Sequence, residues 1–201
     1  RAVIGGKYRI LAIVRDITER KQSEERWTKI HETFLNFSAD PDENINKLTA
    51  LCGELLGADC ALYNRLEEDM LRSCGQWNCP ADLVSPSKAE GHICYDVIKK
   101  QSDHVVVIRN LQETDYFQTD PSVSKYNLQT YVGRAVKFGD SYIGSLCVVY
   151  QRDFNPTEED KEIVGFIALA IGVEEERRSA EEISQIAQFA IERSADPIFW
   201  I

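Results

Sequence analysis

Tyr131-Val132-Gly133-Arg134-Ala135-Val136-Lys137-Phe138-Gly139-Asp140-Ser141-Tyr142-Ile143-Gly144-Ser145-Leu146-Cys147-Val148-Val149-Tyr150 consists of two β-branched and aromatic runs separated by a short glycine-containing break. Gly139-Asp140-Ser141 is short enough for a hairpin turn, so the flanking runs are expected to be antiparallel neighbours. Just downstream, Phe154-Asn155-Pro156-Thr157-Glu158-Glu159-Asp160 reads as a helix start. Thr157 is the N-cap, Asp160 stands in the capping-box position, and the acidic residues face the positive end of the helix dipole. Hairpin followed by capped helix points to an α+β fold, a central antiparallel or mixed sheet with helices packed on it.

Upstream, strand signals occur at Cys60 to Tyr63, Met70 to Cys74 and His104 to Ile108, each with a polar or glycine-rich boundary. Between them, Asn44 to Leu56 carries Ile45, Leu48, Cys52, Leu55 and Leu56 at helical spacing. A shorter helix is expected over Ser87 to Lys99, with Ile93, Val97 and Ile98 on one side. Nearer the N-terminus, Tyr8 to Val14 reads as a strand after a Gly5-Gly6 turn. A polar helix from Glu19 to Phe37 follows, with Trp27, Ile30, Phe34 and Phe37 as one stripe.

Beyond the capped start, Phe166, Leu169, Val173, Glu176, Ala180, Ile183, Ala187 and Ala190 recur every three and four residues, all but Glu176 apolar. A heptad stripe of that length must be buried, and a second copy of the same helix is the simplest cover. A parallel homodimer is therefore expected through Phe166, Leu169, Val173, Ala180, Ile183 and Ala187. In the competing reading, the first half packs on the chain's own sheet and the rest frays.

The chain has 201 residues, 33 acidic against 23 basic, for a formal charge of −10. That balance disfavours nucleic acid or an anionic membrane as the principal partner. No apolar stretch approaches the ~20 residues of a membrane span. The first thirty residues are net basic, and the rest is acidic. Starting at Arg1 with no initiator Met or apolar leader, the sequence is read as an internal stretch of a longer, cytoplasmic protein. Six cysteines in a chain this long suggest reduced thiols rather than a disulfide framework. Cys74 and Cys79 lack the second pair that a structural zinc site would need, so no metal site is expected. Their spacing does permit a dithiol to disulfide switch, which makes them redox candidates.

Particular motifs resemble known families. Ile13-Val14-Arg15-Asp16-Ile17-Thr18-Glu19-Arg20-Lys21-Gln22 resembles the last strand and exit signature of a PAS domain. Phe189-Ala190-Ile191-Glu192-Arg193-Ser194-Ala195-Asp196-Pro197-Ile198-Phe199-Trp200-Ile201 resembles the opening of another. Between them, Tyr131 to Tyr150 with the Phe154 to Asp160 helix start is similar to the second half of a GAF domain. These resemblances imply a PAS strand at 1–18, a helical linker at 19–37, and a GAF domain with a central antiparallel sheet at 30–178. They further imply a coiled-coil linker at 179–192, a second PAS start at 193–201, and long signalling helices at both ends of the GAF domain. PAS, GAF and PAS in series imply a multidomain signal-transduction protein, with a two-component sensor histidine kinase as the most common parent.

In the family a small molecule sits between the sheet and its covering helices and loops. That implies a pocket near Trp77, His92, Cys94, Tyr131 and Cys147. A His or Cys there could ligate haem iron, or a thiol could bond to another tetrapyrrole. The plainer reading is a buried thiol and a hydrogen-bonded imidazole. The N-K-F-D-E signature of cyclic-nucleotide GAF domains is missing, which disfavours cyclic GMP. The ligand is left open, and an inert mechanical relay that binds nothing remains an alternative.

His31-Glu32 invites comparison with the phosphoacceptor box of histidine kinases, but Thr33-Phe34-Leu35-Asn36 follows where an Arg and a Pro are needed. No G-x-x-x-x-G-K-[ST] loop, G-x-S-x-G elbow or H-E-x-x-H motif occurs. No catalytic residues are assigned, and catalysis is expected elsewhere in the parent protein. The partners expected are a second copy, the adjacent PAS and output domains, and an unidentified small molecule.

Overall fold

The computed structural model describes residues 2–4, 7–9 and 18–194, with side chains over 20–190. The chain divides into two compact units, 1–35 and 36–201. In the first, β1 (Ala2–Ile4) pairs antiparallel with β2 (Lys7–Arg9), and α1 spans Thr18–Leu35. Gly5-Gly6, most of the expected strand at 8–14, the Asp16-Ile17 of the exit signature and residues 195–201 of the second PAS-like stretch lie outside the described residues.

The second unit opens with α2 (Pro41–Leu56), three residues earlier than the periodicity suggests. Asp40 is the N-cap and accepts from the N–H groups of Asp42 and Glu43, Pro41 fits the first turn, and Gly57 closes the helix at φ 55°. Phe37 stands beyond the end of α1 and does not extend its stripe. Asn44 bonds both the N–H and the C=O of Ser38, which turns the chain toward α2 instead.

Six strands form one antiparallel sheet in the order β5-β4-β3-β8-β7-β6. They are β3 (Cys60–Glu67), β4 (Met70–Trp77), β5 (Ser87–Lys88), β6 (Val106–Ile108), β7 (Thr130–Phe138) and β8 (Ser141–Tyr150). The hairpin read from Gly139-Asp140-Ser141 is the β7–β8 connection, with Phe138 opposite Ser141. The connections carry α3 (Ile93–Lys99), a 3-10 turn (Leu111–Glu113), α4 (Tyr116–Thr119) and α5 (Pro121–Lys125).

The helix expected from Ser87 is confined to α3. Residues 87–88 pair with the edge of β4, the Ala89 N–H donates to Asp69 O, and Gly91 turns the chain at φ 91°. A Cβ at Gly91 would come within 2.7 Å of Thr119 O, so the turn has no room for a side chain.

The last element, α6, runs unbroken from Glu158 to Ser194. Its capping box forms as the sequence suggests. The Thr157 N–H and hydroxyl both reach Asp160 Oδ2 at 2.8 Å, and the Asp160 N–H returns to Thr157 Oγ1 at 3.1 Å. Ile163, Val164, Ile167, Ala168 and Ile171 are buried, whereas Phe166, Leu169, Val173, Ala180, Ile183 and Ala187 are exposed. The expected seam is thus a different face of the helix from the one that packs in the core, and its first half does not pack on the chain's own sheet. Among the described residues no helix is long and apolar enough to cross a membrane.

Alternation along the strands divides the core between two faces. On one, α2 and α6 cover Tyr63, Val132, Leu146, Val148 and Tyr150. The other carries α3, the short helices and residues 78–92, which leave a cavity against the sheet.

Candidate functional site

The cavity measures about 770 Å³, within the range of small-ligand sites. Its sheet floor comes from β3 (Cys60, Leu62, Asn64), β7 (Tyr131) and β8 (Cys147, Val149), and α3 contributes Ile93 and Cys94. Residues 78–92 supply much of the remaining wall. Of the five residues expected to line a pocket, His92, Cys94, Tyr131 and Cys147 do so. Trp77 does not.

The reason is a bulge. Tyr63 pairs with Gly75 but Asn64 with Ser73, so Cys74 is an extra residue in β4. Gly75 and Trp77 then point to the helical face. A Cβ on Gly75 would meet Thr49 of α2, and the Trp77 ring lies against Gly53 of the same helix. Cys74 goes the same way and feels the charges of Arg65 and Glu175.

The structure therefore does not bring Cys74 and Cys79 together. After Trp77, Asn78 adopts a left-handed conformation at φ 50° and its side chain donates to Asp59 O at 2.8 Å. The chain turns toward the start of β3, and Cys79 Sγ meets Cys60 Sγ at 2.8 Å. Cys60, like Asn64 and Asp120, is a site residue that sequence reasoning missed. Its only signal was the alternation Cys60, Leu62, Asn64 on one strand.

Deeper in the cavity, Cys94 Sγ lies 3.7 Å from Cys147 Sγ, 3.8 Å from the Tyr131 hydroxyl and 3.4 Å from Asn64 Nδ2, which donates to it. The contact with Cys147 is the largest influence. With Asn64 and Tyr131 it outweighs burial and pulls the Cys94 thiol down to about 7. Cys147 is pushed up by the same contact and by its burial. Cys94 is thus a readily ionised thiol facing the ligand space, held between neutral donors.

His92 is fixed by Asp120, with Nδ1 3.1 Å from Oδ1. The same buried carboxylate accepts the N–H of Ile93 at 3.1 Å and of Ser122 at 3.0 Å, tying α3 to α5. The Asp120 contact raises the His92 pKa above its ordinary 6.5. Iron needs a neutral imidazole, so this favours a structural cation over a haem ligand. A raised folded-state pKa means the contact stabilises most below about pH 6.5 and is lost as pH rises through the folded value. The stability gap between the native protein and His92→Gln should therefore narrow in urea melts from pH 5.5 to 9; a constant gap would contradict this assignment. Among the described residues no group of three or more His, Cys, Asp and Glu side chains is arranged to hold a metal.

Behind the cavity, β3 alternates between two environments. Asn64 contacts Cys94 and accepts from the Ser73 hydroxyl at 2.7 Å. Its neighbours Tyr63 and Arg65 face α6, where the Tyr63 hydroxyl donates to Glu175 Oε1 at 2.7 Å and Arg65 reaches the same oxygen through Nε at 3.0 Å and Nη2 at 2.7 Å. Arg178 donates to Glu175 Oε2 at 3.2 Å. One turn face over, Glu174 accepts from Asn44 Nδ2 at 2.9 Å and from Arg177. These two buried carboxylates bind α6 to the domain at the point where its core-facing apolar stripe ends.

Residues 40–174 match the family model described as GAF domain. Among solved structures, similar folds include the GAF domain of a phosphoenolpyruvate-protein phosphotransferase from Coxiella burnetii, with 12% identity and a TM-score of 0.67 over 83% of this chain and 99% of that one. The free methionine-R-sulfoxide reductase of Neisseria meningitidis, in complex with its substrate, has 15% identity and a TM-score of 0.62 over 85% and 98%. The phycoerythrobilin-bound GAF domain of a cyanobacterial phytochrome has 13% identity and a TM-score of 0.55 over 84% and 100%. No curated protein sequence matches this chain.

Proposed function

The chain belongs to the GAF domain family, and from that premise we propose that it is the sensory and dimerisation module of a cytoplasmic signal-transduction protein. It takes a small molecule into the cavity and passes occupancy to α6. The observation that carries this reading is the position of β3, whose Asn64 contacts the cavity thiol of Cys94 while Tyr63 and Arg65 grip Glu175 on the helix. A ligand that shifts Asn64 shifts the residues that hold α6, and so biases two arrangements of the helix. The output is read outside this chain, in our proposal by a two-component histidine kinase linked through PAS domains, and this chain carries no catalysis of its own.

Dimerisation rests on the exposed stripe. Leu169, Val173 and Ile183 are each more than half exposed, at heptad spacing on a helix whose other face is already packed. Ile183→Glu places a charge in the seam of a parallel pair. It should convert a dimer to monomer in analytical ultracentrifugation while leaving the circular dichroism of the domain unchanged. Unchanged association would remove the seam from the account.

Native mass spectrometry, compared with the same sample denatured, tests ligand uptake. Extra mass lost on denaturation supports a reversible ligand. Extra mass that survives supports a second reading, a tetrapyrrole bonded to a thiol, for which the position and low pKa of Cys94 are the supporting observation. A dimer at the bare sequence mass, unchanged by incubation with cell extract, would favour a relay without ligand.

A further inference from the structure

We propose that Cys60 and Cys79 form a reversible disulfide in the wall of the cavity, closed by hydroperoxides and opened by dithiols, so that residues 78–92 act as an oxidant-operated latch. This inference does not depend on whether the cavity takes a ligand.

The geometry is nearly that of the product. The two sulfurs lie 2.8 Å apart and a disulfide needs about 2.04 Å, so closure asks for a side-chain adjustment and no rearrangement of the sheet. The two thiols are unequal in a useful way. Both line the cavity, but Cys60 is buried at the start of β3 whereas Cys79, on the loop, is half-buried. Contact with Cys60 lowers the Cys79 pKa, and the same contact, with burial, raises that of Cys60. Cys79 is therefore the attacking thiolate and Cys60 the resolving thiol.

The Cys79 thiolate attacks one peroxide oxygen, the O–O bond breaks, and the departing alkoxide takes a proton to become an alcohol, or water for hydrogen peroxide. Cys79 is then a sulfenic acid. Cys60 attacks its sulfur, the S–O bond breaks, and water leaves with the Cys60 proton. In sum, two thiols and one hydroperoxide give one disulfide, one alcohol and one water.

The bond would fasten the cavity loop to the first residue of β3. That loop is also held by Asn78 on Asp59 O, by Asp82, which pairs with Lys125 and accepts from the Tyr126 hydroxyl, by Ser85 Oγ, which accepts from the Ser73 N–H, and by the pairing of 87–88 with β4. The other close thiol pair, Cys94 with Cys147, is wider at 3.7 Å and buried on both sides. It serves as an internal comparison.

The reduced protein is treated with a small excess of hydrogen peroxide, then denatured, alkylated and digested. We expect loss of two of the six free thiols, a Cys60–Cys79 linked peptide lighter by two hydrogen atoms, and full recovery of both thiols with dithiothreitol. Cys79→Ser should keep Cys60 alkylatable, and Cys60→Ser should leave Cys79 as a sulfenic acid trapped by dimedone. All six thiols remaining free, or a link joining Cys94 to Cys147 or Cys74 to Cys79, would overturn the proposal. The wild-type digest decides the matter even if a variant folds poorly.

Discussion

Glu175→Gln should destabilise the domain by up to about 3–5 kcal/mol, because it leaves the buried Arg65 guanidinium only the half-exposed Glu67, 3.6 Å away, as its anion. The Glu175 side chain is 1% exposed and that of Arg65 is 11% exposed. Glutamine retains the shape and can still meet Tyr63, so the loss isolates the charge. Urea unfolding at one fixed protein concentration measures it, since association adds to apparent stability. The paired replacement Arg65→Met with Glu175→Leu should recover only part of the loss, because an apolar pair of similar volume avoids the desolvation that the ion pair had to overcome but leaves the buried Tyr63 hydroxyl without its acceptor. If Glu175→Gln unfolded within about 0.5 kcal/mol of the native protein, the grip on α6 would be decorative. If the double variant stayed folded but no longer coupled cavity occupancy to association, the ion pair would be a conduit as well as a clamp.

The second large effect comes from comparing two faces of one helix. Ile167→Ala should cost about 2–5 kcal/mol, as for other large-to-small changes at fully buried positions. Leu169→Ala, only two residues on but 55% exposed, should stay within about 0.5 kcal/mol when folding is measured in a monomeric Ile183→Glu background. In the native background Leu169→Ala should instead weaken association. Equal costs at the two positions in the monomer would mean that the exposed stripe is packed within its own protomer.

Local signals made much of the fold legible. The β7–β8 hairpin follows from Gly139-Asp140-Ser141, the start of α6 from Thr157 and Asp160, and the exposed stripe of α6 from apolar periodicity, whereas its core-facing stripe of Ile163, Ile167 and Ile171 is seen only in the structure. Each depends on residues within a few positions of one another. The site was legible only through what the GAF resemblance implies about the sheet and its covering helices, as for His92, Cys94, Tyr131 and Cys147. Trp77 takes the helical face because one extra residue in β4 reverses the alternation beyond Cys74, and periodicity does not announce a bulge. The Cys60–Cys79 contact joins two strand ends and depends on that register and on the turn at Asn78. Likewise, nothing in the charge run Glu174-Glu175-Glu176-Arg177-Arg178 marks its first two carboxylates as buried. Their partners Asn44, Tyr63 and Arg65 lie more than a hundred residues away.

Within α6 the only glycines are Gly165 and Gly172, and there is no proline. Gly172 sits where a Cβ would come within 2.6 Å of Lys137 O, so the helix presses directly on the backbone of β7 there. Past that point the helix has no hinge. Each residue turns it by about 100° and lengthens it by about 1.5 Å, so the azimuth of Ile183 is geared to that of Glu175. A twist of a few degrees at the clamp reappears as the same twist at the stripe, and a slide along the axis as the same slide. Inserting one alanine after Arg178 would swing the distal stripe out of phase with the proximal one, whereas inserting seven residues would nearly restore it.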